Sequence, residues 1–398
     1  MCTTLMSVLA NELRPFQIRI PEEHLHDLRR RLAETRWPEP ATVPDWSQGV
    51  PLHDLQELCN YWRTEYDWRG AERRLNRWPQ YLTEIDGLAL HYFHLPSTSP
   101  SAVPLILTHG WPGSFFEFEQ AIERLAAAST SSNGDDFHLV VPSLPGYGFS
   151  GKPSSTGWGV HQIARAWAGL MRRLGYQRFI AAGSDWGTSI STSLALQYPD
   201  QLLGLHLIPP LVPPLPDAGE APTAQERTAA QELHDRSQTG SGYSAMQGTR
   251  PQTIGYSLLD SPAGLCAWIL EKLWTWADHP GDLYEVLSQD QVLDNITLYW
   301  FTGTGASSAR LYWESIDEIS TWFTDSTNDA IDVPTGCTVF PREVPRPSRR
   351  LAERRFTSIV HWGEPPRGGH FGAWEQPELF VQEAMAVRRA LTQRDASA

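Results

Sequence analysis

Gly183-Ser-Asp-Trp-Gly187 follows the apolar run Phe179-Ile-Ala-Ala182 and precedes Thr188-Ser-Ile-Ser-Thr-Ser-Leu-Ala-Leu196. A short strand, a bend framed by glycines and a helix is the order that projects one side chain from a sharp strand-to-helix turn. Here that side chain is Asp185. A serine at this place makes acyl-enzymes. A carboxylate attacks a saturated carbon bearing a leaving group and makes an alkyl ester that water must then cleave. The expected electrophile is therefore an sp³ carbon, in an epoxide or a halide.

Working outward, Val103-Pro-Leu-Ile-Leu-Thr108, Phe137-His-Leu-Val-Val141 and Leu203-Gly-Leu-His-Leu-Ile208 are further continuous apolar runs. Such runs are expected of parallel strands covered on both faces. Between two of them, Ile163, Trp167, Leu170, Met171 and Leu174 make a helical stripe. Strands alternating with helices imply a parallel sheet. Ile85 to His94 reads as a hairpin turning at Asp86-Gly87, and sheet character begins at about residue 82. At Pro209-Pro-Leu-Val-Pro-Pro-Leu-Pro216 the pattern breaks into helical, aromatic-rich sequence, and sheet character returns at Cys337–Phe340 and Phe356–His361. The expectation is an α/β-hydrolase fold with an inserted helical cap and an N-terminal helical extension. Its divisions are the extension over 1–80, the first part of the core over 81–208, the cap over 209–330 and the second part of the core over 331–398. In the extension, Leu25, Leu28 and Leu32 fall at helical spacing after Pro21, and Asp54 to Trp62 gives a second helix.

The 398 residues are 20% charged and 41% apolar, a globular composition. A balance of 32 basic against 46 acidic residues, net −14, argues against nucleic acid or an anionic membrane as partner. Cys2, Cys59, Cys266 and Cys337 are scattered and fit no metal or disulfide framework. Met1 to Ala10 is followed at once by Asn11, Glu12 and Arg14, and no stretch approaches the roughly 20 apolar residues of a membrane span. A soluble, cytoplasmic chain with no cofactor and no metal is expected. Oligomeric state is open, a homodimer included.

An aspartate nucleophile in this fold requires an acid and then a histidine later in the chain. His370 lies in the glycine-framed turn Arg367-Gly-Gly-His-Phe-Gly372, and Glu343 lies just past the preceding strand, with Asp332 and Glu364 as its rivals. Loops at the carboxyl ends of strands are where such sheets place their sites. His370 is expected to act as general base on a water, oriented by Glu343. His109-Gly-Trp-Pro-Gly113 follows the first buried strand, so Trp111 N–H and Trp186 N–H are the oxyanion-hole candidates. His109 itself is read as a structural turn residue. An epoxide oxygen also needs a donor, and a phenol suits a strongly basic alkoxide. Twelve tyrosines offer no way to choose among them from composition and spacing.

These motifs together resemble the epoxide hydrolases of the α/β-hydrolase superfamily, in the branch typified by microsomal epoxide hydrolase. The likeness covers Leu13–Pro21 through Arg29–Pro38, His109–Gly113, Pro142-Ser-Leu-Pro-Gly-Tyr-Gly-Phe-Ser150, Gly183–Gly187, Pro334–Gly336 through Phe340–Glu343, and Gly369-His-Phe371 with Glu375-Gln-Pro-Glu378. It implies that the N-terminal segment wraps the cap. It also implies that Tyr243, in Ser241–Gln252, and Tyr312, in Ser308–Glu314, bond the epoxide oxygen, with a small-molecule epoxide and water as the reaction partners. Ser184 stands where a glycine is common in the family. The family's membrane-bound members carry an N-terminal anchor helix, which is not expected in this chain, and the chain is similar to bacterial-type members from enediyne and other natural-product pathways. Two alternatives differ in chemistry. A haloalkane dehalogenase shares the aspartate but needs N–H donors for its halide, and a catalytically silent binding protein of this fold would not need the full residue set.

Overall fold

In the computed structural model, which describes residues 13–128, 136–324 and 330–395, nine strands form one sheet among the described residues. They are β1 (Arg14–Phe16), β2 (Gln80–Ile85), β3 (Leu88–Leu95), β4 (Val103–Thr108), β5 (Phe137–Pro142), β6 (Phe179–Ser184), β7 (Leu202–Ile208), β8 (Thr335–Thr338) and β9 (Ile359–Gly363). Their order is β1-β2-β3-β5-β4-β6-β7-β8-β9. Pairing is antiparallel from β1 to β5 and parallel from β5 through β9. All six residues of β6 are buried, as the unbroken apolar run requires. This is the α/β-hydrolase fold.

The helices are α1 (Glu22–Ala33), α2 (Leu52–Thr64), α3 (Trp68–Leu75), α4 (Glu119–Ala128), α5 (Val160–Arg173), α6 (Trp186–Gln197), α7 (Ala224–Thr239), α8 (Gly242–Thr249), α9 (Pro251–Asp260), α10 (Pro262–Trp276), α11 (Gln289–Thr302), α12 (Gly305–Thr324), α13 (Arg349–Arg355), α14 (Gly372–Glu375) and α15 (Pro377–Asp395). The stripe on α5 buries Ile163, Trp167, Leu170 and Met171. Helices α7 to α12 all fall between β7 and β8.

Three details differ from the sequence reading. Residues Arg14–Phe16, expected in a helical segment, form β1 and place Arg14 opposite Leu82 and Phe16 opposite Gln80. An edge strand has one partner, so Pro15, which lacks an N–H, is tolerated there. Strand β8 covers Thr335–Thr338 rather than Cys337–Phe340, because its ladders already pair Thr335 with Leu205 on β7 and end with Thr338 opposite Gly363 on β9. Strand β9 starts at Ile359, and Phe356 makes only an isolated bridge to Ile331.

The first helices pack on those between β7 and β8 through specific contacts. Trp46 stacks on Trp274 with centroids 4.4 Å apart, Arg31 Nη1 donates to Asp260 O at 2.9 Å, and Tyr66 Oη donates to buried Asp294 at 2.6 Å. Cys59, Cys266 and Cys337 are buried and free. Cys2 and the Met1–Ala10 stretch lie outside the described residues. Among the described residues no helix is long and apolar enough to cross a membrane, and no group of three potential ligands is arranged to hold a metal ion.

Candidate active site

Asp185 sits between the end of β6 and the start of α6 with φ 51° and ψ −122°. A non-glycine residue in that region is strained, and the neighbouring glycines make the bend sterically feasible. A Cβ on Gly187 would come within 1.9 Å of Thr108 O, so only glycine lets the helix start pass that close to β4. The result is a carboxylate held out from the sheet into a cavity of about 180 Å³.

The two oxygens of Asp185 have different neighbours. Oδ1 accepts the Trp111 N–H at 2.8 Å. Oδ2 lies 3.5 Å from His370 Nε2, an ion-pair distance at which that nitrogen makes no hydrogen bond. On the other side of the ring, Nδ1 is 3.0 and 3.2 Å from the two oxygens of Glu343. Burial disfavours the charged ring, but Glu343 and Asp185 outweigh it and lift the His370 pKa to about 10. Asp332 instead bonds Thr357, and Glu364 lies 3.5 Å from Arg346. The structure thus brings Glu343, His370 and Asp185 into one line.

Tyr243 on α8 and Tyr312 on α12 line the same cavity as Asp185. Their rings are 5.8 Å apart, Tyr243 stacks on Trp111 at 5.1 Å, and Tyr312 meets Trp186 edge-on at 4.8 Å. Burial pushes the Tyr243 phenol up to about 12, with Arg236 pulling the other way. Burial also drives Tyr312 well above its usual value. Both phenols are therefore protonated donors near neutral pH. The helix that carries Tyr312 is tied to the core: Tyr147 Oη donates to Ser308 O at 3.1 Å, and Ser307 Oγ to Gly146 O at 2.6 Å. The Trp111 loop is held from behind, Asn295 donating to Pro112 O and Tyr299 to Gly113 O, each at 2.8 Å. Trp186 is the first residue of α6, so its N–H is one of the free donors at that helix start. His109 is buried, with Nδ1 on Gly110 O and Nε2 accepting the Leu144 N–H, a locked turn residue.

Three nearby groups escaped the sequence reading. Glu375 accepts the N–H groups of Gly369 (3.0 Å), Phe371 (2.9 Å) and Asp278 (2.7 Å). It stood in a quoted motif, and its place five residues after His370 was the only available signal. Glu117 is buried beside the nucleophile, with Ser184 Oγ at 3.4 Å, and burial raises its pKa to about 8. Arg236 lines the cavity from α7. The sequence alone gives Glu117 and Arg236 no distinguishing mark.

Two family descriptions and several known proteins match this chain. The family described as epoxide hydrolase N terminus matches residues 13–118, and the α/β-hydrolase fold family matches 103–238. A Stigmatella aurantiaca protein assigned as an epoxide hydrolase is 49% identical over 383 residues, covering 95% of this chain and 85% of the relative. Epoxide hydrolase 1 of Sus scrofa is 35% identical, with 96% and 90% covered. The structure of Aspergillus niger epoxide hydrolase superposes with a TM-score of 0.87 at 31% identity, covering 97% of this chain and 98% of that one.

Proposed function

This chain belongs to the epoxide hydrolases of the α/β-hydrolase fold, and we propose that it makes a vicinal diol through a covalent ester on Asp185. The observation that carries the mechanism is the unequal environment of the Asp185 oxygens. With Oδ1 engaged by Trp111 N–H, Oδ2 is the oxygen free to attack the epoxide carbon. As the carbon–oxygen bond breaks, the ring oxygen takes a proton from one cap tyrosine while the other bonds it. Oδ1 becomes the ester carbonyl oxygen, already against the Trp111 amide. The oxyanion that forms when water attacks is stabilised there, with Trp186 N–H as the second donor.

Esterification removes the Asp185 charge that helped hold a proton on His370. The imidazolium can then return that proton to the tyrosinate, and the neutral ring takes the next one from the attacking water. Glu343 holds the ring in place and steadies its charge. Collapse of the tetrahedral adduct expels the diol, leaving Asp185 ionised and His370 protonated, so protons balance over the cycle. Paired tyrosines over the nucleophile favour an epoxide over a halide.

The cavity walls include Leu211, Val212, Ile316, Ile319 and Phe323, which supports a bulky apolar or aryl epoxide. A natural-product substrate is supported by the likeness of the core motifs to bacterial members from such pathways. The division into an extension over 1–80, a core over 81–208 and 331–398 and a cap over 209–330 is supported by the run of helices between β7 and β8. The test is a single turnover in ¹⁸O-labelled water followed by peptide mass spectrometry. The first diol should carry an unlabelled enzyme oxygen, with label left on Asp185. Label in that diol and none on the protein would mean direct attack by water.

A further inference from the structure

Arg236 lines a cavity whose other ionisable side chains include Asp185, Glu343 and His370, already joined to one another. Its Cζ lies 4.7 Å from the Trp276 ring centroid, and Nη1 donates to Val344 O at 3.0 Å. These contacts occupy one N–H and one face of an ion with five N–H groups, and the remaining side faces the Tyr243 phenol. Among the described residues no carboxylate oxygen lies within 4.0 Å of this guanidinium. Arg350, also in the second half of the chain, by contrast reaches Glu226 at 2.6 Å and Glu220 at 2.9 Å. Lys272, also packed on Tyr243 and Trp276, has Glu271 as its partner.

We propose that Arg236 is a recognition point for an anionic substituent, and that the substrate class is an apolar epoxide carrying a carboxylate a few bonds from the ring. This rests on the epoxide-opening reading above. A partly desolvated cation without a counter-ion is costly, and a guanidinium fork matches a carboxylate in two-point geometry. Asp185 and Glu343 line the same cavity and the chain carries −14 overall, so an anionic substrate needs a local opposite charge to enter at all. His370 is already committed to the two acids. Arg236 supplies the one uncommitted positive charge among the lining residues, and the aliphatic walls take the rest of the molecule.

The experiment measures kcat/KM for ω-epoxyalkanoates of graded chain length, each against its methyl ester, on the full chain. At the matching length the acid should be preferred by roughly ten- to a hundredfold. Arg236→Gln should erase that preference and Arg236→Lys should keep part of it. A role limited to holding the Val344 loop would lower both rates together and leave the ratio intact, which overturns the proposal. So would equal rates on acid and ester at every length in the unaltered protein. As a second measurement independent of any variant, the alkanoate of matching length should competitively inhibit epoxide opening of the methyl ester and its amide should not; inhibition by both alike overturns the assignment. A protein that opened none of these epoxides would sink the epoxide-opening reading itself, an outcome distinct from opening them without regard to charge.

Discussion

Glu375 accepts the backbone N–H of Asp278 at 2.7 Å, so an acid beside the His370 loop grips the chain just beyond the end of α10. The same carboxylate holds the amides on both sides of His370, and His370 N–H itself donates to Trp276 O at 3.0 Å. Placement of the imidazole is thus shared between the core and the end of α10, one of the helices between β7 and β8. Glu375→Gln keeps the volume but has one acceptor oxygen for three donors. Each buried N–H left unmet costs about 1 to 3 kcal/mol. Melting temperature should fall, and kcat should drop by roughly tenfold to a hundredfold with little change in KM, as expected for a displaced base. Unchanged kcat would show that the clamp serves folding alone.

His370→Gln should separate the two halves of the reaction. Ring opening by Asp185 does not require the base, so the ester should accumulate and appear by intact-protein mass spectrometry as one substrate mass per chain. Steady-state turnover should fall by at least about a thousandfold. Asp185→Asn should abolish turnover without any adduct.

Tyr243→Phe and Tyr312→Phe should each lower kcat by about a hundredfold, with a larger loss in the double variant. The readout is the single-turnover rate of ester formation. Hydrolysis of ester already formed should be nearly unaffected, since both phenols act on the departing ring oxygen.

Stability should decline as pH rises from about 7 to 10. His370 is lifted in the fold from 6.5 to about 10, so its contribution is complete below pH 6.5 and is lost as pH climbs through the higher value. Burial raises Glu117 to about 8 and Glu375 to about 7, so the stability each buried acid holds is lost as pH rises from 4.5 to that value, and above pH 7 mainly the last of the Glu117 loss adds to that of His370. All three act in one direction. Buried His91, His109 and His206, with pKa values lowered by burial to about 3 to 4, are neutral in both states above 6.5 and do not oppose them. Melting curves across this range check the slope, and Glu117→Gln should flatten its lower part.

Much of this site was readable because its constraints are local. Gly183 and Gly187 are glycines because neighbouring backbone leaves no room for a Cβ, and that requirement is written directly into the motif. The runs that became β4 to β7 are apolar because both faces of the sheet are covered. By contrast, β1 has the pattern exposed, exposed, half-buried, and it exists through pairing with residues more than sixty positions later. Glu117 and Glu375 have the composition of ordinary surface acids. Their burial is decided by the Asp185 turn and by the Asp278 amide, which are remote in sequence. Arg236 is distinguished by lining the cavity with no carboxylate in reach, a combination no linear pattern contains.

The unequal holding of the two Asp185 oxygens also bears on handedness. If Oδ2 makes the bond to carbon and water later strikes the aspartyl carbonyl, the attacked carbon is inverted once and is not touched again. The configuration of the diol is then decided entirely by which ring carbon faces Oδ2. Two mirror-image epoxides presented with opposite carbons toward it would converge on one diol enantiomer, so a racemic feed could yield a single optical product.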